Sequence, residues 1–320
     1  MRKAAAAVTL LACVLAAAYS STVAPAAENT ATPRFTPAPA VAVSVAEPAH
    51  ERVVLSSRDR VVMPASEPEL QADTQRWNSV PVVADEAKAL VEQLVMAERA
   101  VRDPAVTGAK LAFMGHLQQL VYRKLIDRPD LRAPVFDAIP RDLRGAADLN
   151  FAASADLWLF GPVWVRELPN WRIAKAAPMD DLLFYYREAE VTFGVPWYYL
   201  AAINLVETRM GRIRGDSYAG AQGPMQFMPA TWRLYGEGDI NDPRDAILSA
   251  ARYLRAVGAP TKMERAIWWY NHDNEYVDAV MKYAEVMRTD PRAFRGFYGW
   301  QVYYKIASGT YLLPEGWSKD

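Results

Sequence analysis

In AAINLVETRMG, residues 201–211, a carboxylate stands where a core residue is expected. Leu200, Ile203 and Glu207 fall at i, i+3 and i+7 of a helical pattern, so Glu207 shares the face that points inward. Desolvation on such a face disfavours the charged form and raises the pKa, which keeps the acid protonated and able to donate. General acid catalysis is the chemistry this suits. A buried structural glutamate paired with Arg209, Arg212 or Arg214 fits the same pattern.

Two later segments offer groups for binding. In GAQGPMQFMPATW, residues 220–232, Gly220 and Gly223 permit tight turns and close approach of a ligand. Gln226 brings a donor and an acceptor, and Met225, Phe227 and Met228 bring apolar surface. An amide flanked by apolar residues suits a sugar ring bearing an acetamido group; a plain glycine-rich turn leading into a helix at Pro229 is the simpler reading. In AIWWYNHDNEYVDAVM, Tyr270 and Asn271 end one helix, where a phenol and an amide serve either as a cap or as a mouth that orients a sugar or a carboxylic acid. Asp242 and Asp245 are assigned to capping, since Asp242, Pro243 and Asp245 occupy the N-cap, N1 and box positions ahead of Ile247, Ala250, Ala251 and Leu254. Three scattered histidines give no metal spacing, and no nucleophile elbow, P-loop or dinucleotide fingerprint is present. No metal or other cofactor is expected.

These groups need helices to hold them. Asp180 or Asp181 is placed to cap a helix carrying Leu182, Tyr186, Ala189 and Phe193 and ending at Gly194; Pro196 then opens the helix that bears Glu207. Val277, Val280, Met281, Ala284 and Met287 form the stripe of a further helix. Upstream, order is expected from Asp85. Leu90, Leu94, Ala97 and Val101 define one amphipathic helix, and Met114, Leu117, Val121 and Leu125 a second, with His116 on the surface beside the stripe. Shorter proline-punctuated pieces follow through Val135, Ile139 and Leu143 to about Phe160. The alternating aromatics of GWQVYYKIASGTYLLPEGW predict a small C-terminal hairpin that packs against the helices.

The totals bound the setting. With 36 Lys+Arg against 37 Asp+Glu the net charge is -1, which disfavours nucleic-acid binding. Arg2 and Lys3 precede an apolar run from Ala4 to about Ala18 and then small residues, as in a secretory signal peptide cleaved near Ala26 or Ala27. An uncleaved membrane anchor is the alternative, although the run is shorter than the roughly 20 residues a spanning helix needs. The one cysteine, Cys13, lies inside that run, so the mature chain would have no thiol chemistry. Residues 28–84 are rich in Ala and Pro and read as an extended tether.

Taken together, VETRMG, GAQGPMQFMPATW and WYN followed by a helix resemble the catalytic domain of bacterial lytic transglycosylases, which is similar to goose-type lysozyme. E-T-x-x-G and YNHDNEYVDAV look closest to the membrane-bound B type, and the short loop between the first two motifs to the soluble type. The resemblance implies a mainly α fold: a lysozyme-like helical domain over residues 175–290, preceded by a helical region over 85–165 and followed by an aromatic-rich extension over 291–320. It implies an exported, wall-associated enzyme acting on peptidoglycan glycan strands. Glu207 would protonate the oxygen between N-acetylmuramic acid and N-acetylglucosamine, then act as base on the muramyl C6 hydroxyl to close a 1,6-anhydro ring. Ser217 matches a serine that hydrogen-bonds the acid in the soluble type, and Met225, Gln226, Phe227, Tyr270 and Asn271 match substrate-cleft positions. A retaining hydrolase would set a second carboxylate about 5 to 5.5 Å across the bond; the motifs supply none, Asp216 being the one nearby loop acid without a cap role. A hydrolytic muramidase on this fold and a non-catalytic wall-binding protein are the rivals. The N-terminal helices offer a surface for a cell-wall or division protein partner.

Overall fold

A computed structural model describes residues 77–159 and 165–319. The signal segment and most of the tether lie outside the described residues. Order starts earlier than Asp85: the Gln93 side chain accepts from Ala84 N–H and donates to Val82 C=O, while the Trp77 ring meets Phe113 edge-on at 5.2 Å.

Helix α1, Ala87–Arg102, and α2, Gly108–Asp127, turn the two expected stripes inward, and all eight stripe residues are buried. Asp85 lies just ahead of the cap and pairs with Lys124. His116 is a correction. It is buried, and its Nε2 lies 2.8 Å from the Tyr303 hydroxyl. The physical reason is that α2 is covered on a second side: a Cβ on Gly115 would lie 2.5 Å from Gly296 O, so a short C-terminal helix presses directly on the α2 backbone. After α3, Arg132–Ala138, the proline at 140 does not fragment the chain further; α4, Arg141–Leu159, is one helix of 19 residues.

The second half begins with β1, Arg172–Ile173, and α5, Met179–Phe193. Asp180 and Asp181 sit in the first turn of α5, where their charges favour the helix N-terminus, and do not cap it; Pro178 holds the cap position. Gly194 ends α5 in the left-handed conformation, as expected. Then follow α6, Trp197–Thr208; β2, Ile213–Arg214, antiparallel to β1; α7, Pro229–Tyr235; α8, Pro243–Ala256; α9, Met263–Tyr270; α10, Asn274–Thr289; and α11, Phe294–Tyr298. Asp242 accepts from the N–H groups of Arg244 and Asp245, the capping role assigned to it. The predicted hairpin is β3, Val302–Ile306, and β4, Gly309–Leu313.

The architecture is mainly α, with eleven helices and two small two-stranded sheets among the described residues. One hydrophobic cluster runs from Leu90 to Trp300, and α10 packs along both α4 and α6. Residues 85–159 therefore share a core with the helices that follow. A second cluster joins Trp171, Ile173 and Ile213 to Val302, Tyr304, Ile306 and Leu313; Tyr303 and Tyr304 of the hairpin are used for packing, while Tyr311 is exposed.

Candidate active site

Helix α6 is mostly apolar and is buried on every face from Leu200 to Thr208, the signature of a core helix. Its last turn carries Glu207, 3 % exposed. The hydroxyl of Tyr276, in the first turn of α10, donates to Glu207 Oε1 at 2.6 Å. Burial pushes the Glu207 carboxyl up to about 8, and the Tyr276 hydrogen bond opposes this more weakly. None of the three nearby arginines pairs with it. Arg209 donates to Leu205 C=O, Arg212 to the carbonyls of Arg209 and Tyr298, and Arg214 to Asn241 C=O. The alternative of an arginine-paired structural glutamate is therefore removed.

The chain leaves α6 through three successive left-handed residues, Arg209, Met210 and Gly211. Thr208 stabilises that exit by accepting from Gly211 N–H at 2.9 Å, and its hydroxyl donates to Pro224 C=O at 2.6 Å. Asn204, one turn earlier, donates to the same carbonyl at 2.7 Å and accepts from the Tyr186 hydroxyl. Helix α6 thus grips the 222–227 loop at one point.

That loop is a tight reversal. Gln222 and Phe227 exchange two backbone hydrogen bonds, and Gln226 N–H closes on Gly223 C=O. Glycine is required at 223: its φ is +72°, and a Cβ there would lie 2.0 Å from Ile240 O. Gln226 adopts φ 49° without being glycine, a strained conformation of the kind that concentrates at functional sites. Its Nε2 donates to Gly223 C=O, and its Oε1 is buried with no hydrogen-bond partner. A buried acceptor without a donor is costly unless something else supplies one.

The other expected residues are placed as follows. Met225 and Phe227 are buried and form the underside of the loop, not an open cleft wall. The Tyr270 hydroxyl is committed to Met225 C=O at 2.6 Å, so α9 pins the loop from the side opposite to its α6 attachment. Asn271 is buried at the end of α9, and its side-chain amide makes no hydrogen bond among the described residues. Ser217 Oγ accepts from Ala221 N–H, and the hydrogen bond expected from Ser217 to the acid is made by Tyr276. Asp216 is exposed, and its carboxylate accepts from Gln222 Nε2 at 3.2 Å. Burial, and after it the charge of Glu207, hold the phenols of Tyr270 and Tyr276 well above their usual range, so both remain donors. No cluster able to hold a metal ion occurs among the described residues.

Sequence reasoning missed Tyr276 and Asn204. The signal for Asn204 was present, as an amide three residues before Glu207 on an otherwise apolar helix. Tyr276 stood in the YNHDNEY segment, beside the stripe residue Val277, and was given no role.

Residues 214–267 match the family model described as a transglycosylase SLT domain. The match begins after Glu207 and ends before Tyr270. A curated relative, the membrane-bound lytic murein transglycosylase F of Thiobacillus denitrificans, is 26% identical over 154 residues, which cover 42% of this chain and 33% of the relative. The chain thus spans about one third of that relative's length. No solved structure matches it significantly.

Proposed function

We propose that this chain is a bacterial lytic transglycosylase of the SLT-domain kind, and that it cleaves peptidoglycan glycan strands with Glu207 as acid and then base. The observation that carries this reading is a buried carboxyl, raised to about 8, whose one hydrogen bond comes from a phenol and not from a cation. At neutral pH such a group is mostly protonated, which suits it to give its proton to the glycosidic oxygen as the bond from that oxygen to muramyl C1 breaks. The resulting carboxylate is left facing the Tyr276 hydroxyl, a donor already aimed at the ionised form. It then takes the proton of the muramyl C6 hydroxyl as that oxygen bonds to C1. The 1,6-anhydro ring forms, and Glu207 is returned to its acid state with no water consumed.

The remaining assignments follow from the loop. Gln226, with an unpartnered buried Oε1, and Asn271, with a free amide, are the groups proposed to meet the sugar's polar substituents. Tyr270, Met225 and Phe227 hold the loop in place for them. Ser217 fixes the adjoining turn. An exported, wall-associated location is proposed from the N-terminal segment, in keeping with the membrane-bound relative; no helix among the described residues is long and apolar enough to cross a membrane.

Digestion of purified peptidoglycan followed by mass spectrometry tests the reading. The wild-type chain is expected to release muropeptides ending in 1,6-anhydromuramic acid, and Glu207→Gln to release none while still binding the glycan. Products carrying only hydrated reducing ends would assign a muramidase, and cleavage by Glu207→Gln would remove the acid from its role.

A further inference from the structure

Two arginines that meet in one cavity have no acid partner among the described residues. Arg209, which caps α6, is 6 % exposed; one of its terminal nitrogens donates to Leu205 C=O, and its Nε–H is buried with no acceptor. Arg123, on α2, lies with its guanidinium 3.8 Å from the Trp158 ring centroid and 4.2 Å from that of Tyr303. Among the described residues it forms neither a hydrogen bond nor an ion pair. Both side chains line one cavity of about 30 Å³, shared with Gln119, Ser154 and Tyr283 between α2, α4 and α10.

The surroundings do not balance this charge. Arg212 adds a further positive charge near Arg209, and Arg209 itself bears on Arg123. His116, packed on Tyr303, feels Arg123 and is driven down to about 4 by burial and that charge, so it is neutral. Asp156 is the acid nearest Tyr283, but it is paired with Lys282 at 2.5 Å. Asp127 bears on Arg123 from an exposed position. Desolvation pulls Arg123 down to about 10, still charged at neutral pH. A desolvated cation without a counter-charge is strongly destabilising.

We infer that this cavity is an anion site, in which a small monovalent inorganic anion of the halide class sits between the guanidinium groups of Arg123 and Arg209. Water in the cavity would leave both charges uncompensated. The cavity has room for about one or two water-sized particles, which favours a single ion over a polyatomic acid or a peptide terminus. The ion would tie the end of α6, two residues past Glu207, to α2, and so links the candidate site to the N-terminal helices through an effector unrelated to the glycan.

The test is thermal unfolding of the full chain at fixed ionic strength in sodium chloride, bromide, formate or gluconate, alongside ³⁵Cl line broadening. At tenfold over its dissociation constant, chloride is expected to raise Tm by about 3–6 °C over gluconate. The wild-type chain should broaden the chloride line, and bromide should reverse the broadening. Arg123→Gln should abolish both effects. Equal Tm in chloride and gluconate, no line broadening, or an undiminished chloride effect in Arg123→Gln would overturn the site. A larger rise with formate than with halide would overturn the halide assignment in favour of a carboxylate. Should Arg123→Gln fail to fold, the wild-type chloride broadening and its competition by bromide decide the matter alone.

Discussion

Replacing Glu207 with glutamine is expected to stabilise the protein increasingly as pH rises. The carboxyl is buried and raised from 4.5 to about 8. A group whose folded pKa is raised contributes stability that is complete below pH 4.5 and is lost as pH rises towards 8. Between pH 5 and pH 7 the wild-type chain therefore loses about 2.5 kcal/mol from this residue, and any folded pKa above about 7 gives nearly the same figure. An amide cannot ionise, so the variant escapes the loss; its stability relative to wild type should climb by that amount across the interval. Urea unfolding of both proteins at pH 5, 6 and 7, followed by tryptophan fluorescence, measures the difference directly. A constant offset between the two curves would mean that Glu207 has an ordinary pKa, and the argument from desolvation would fall with it.

Two further outcomes follow from the same geometry. Tyr276→Phe removes the one hydrogen bond that favours ionised Glu207, so the alkaline limb of the activity profile should move to higher pH and kcat should fall about ten- to a hundredfold; an unmoved limb would disconnect the two residues. Gly223→Ala places a Cβ against Ile240 O in a left-handed turn, so it should cost about 1–3 kcal/mol in unfolding measurements and reduce activity, whereas an unchanged midpoint would mean that the loop relaxes freely.

Much of the scaffold was legible because periodicity is a local property. Leu90, Leu94, Ala97 and Val101, or Met114, Leu117, Val121 and Leu125, needed only their spacing to be placed inward, and Asp242 needed only its neighbours to be read as a cap. His116 was misplaced because its burial depends on Gly296, Gly299 and Tyr303, nearly two hundred residues away, which no local pattern reports. Met225 and Phe227 were read as cleft wall for the same reason: apolar side chains flanking a polar one look alike whether they face a ligand or the core. The burial of Glu207 was legible, since this carboxyl interrupts an apolar stripe. Its partner was not, because Tyr276 reaches it across 69 residues of sequence.

That distant partner bears on how one carboxyl could fill both of the roles proposed for Glu207. Burial alone makes Glu207 a willing acid but a costly anion, and an acid that cannot tolerate its ionised form would stall after giving up its proton. Tyr276 supplies what the ionised form needs at 2.6 Å, without the full positive charge that would hold Glu207 permanently deprotonated. An arginine in that place would lower the pKa and abolish the acid; a phenylalanine would preserve the acid and impair the base. Tyr276 is anchored at the start of α10, just past Tyr270 and Asn271, and Thr208 and Asn204 tie the Gln226 loop to α6. The acid, its phenol and the loop proposed to receive the sugar are thus fixed by the packing of α6 against α10, and a shift between these two helices would disturb all three together.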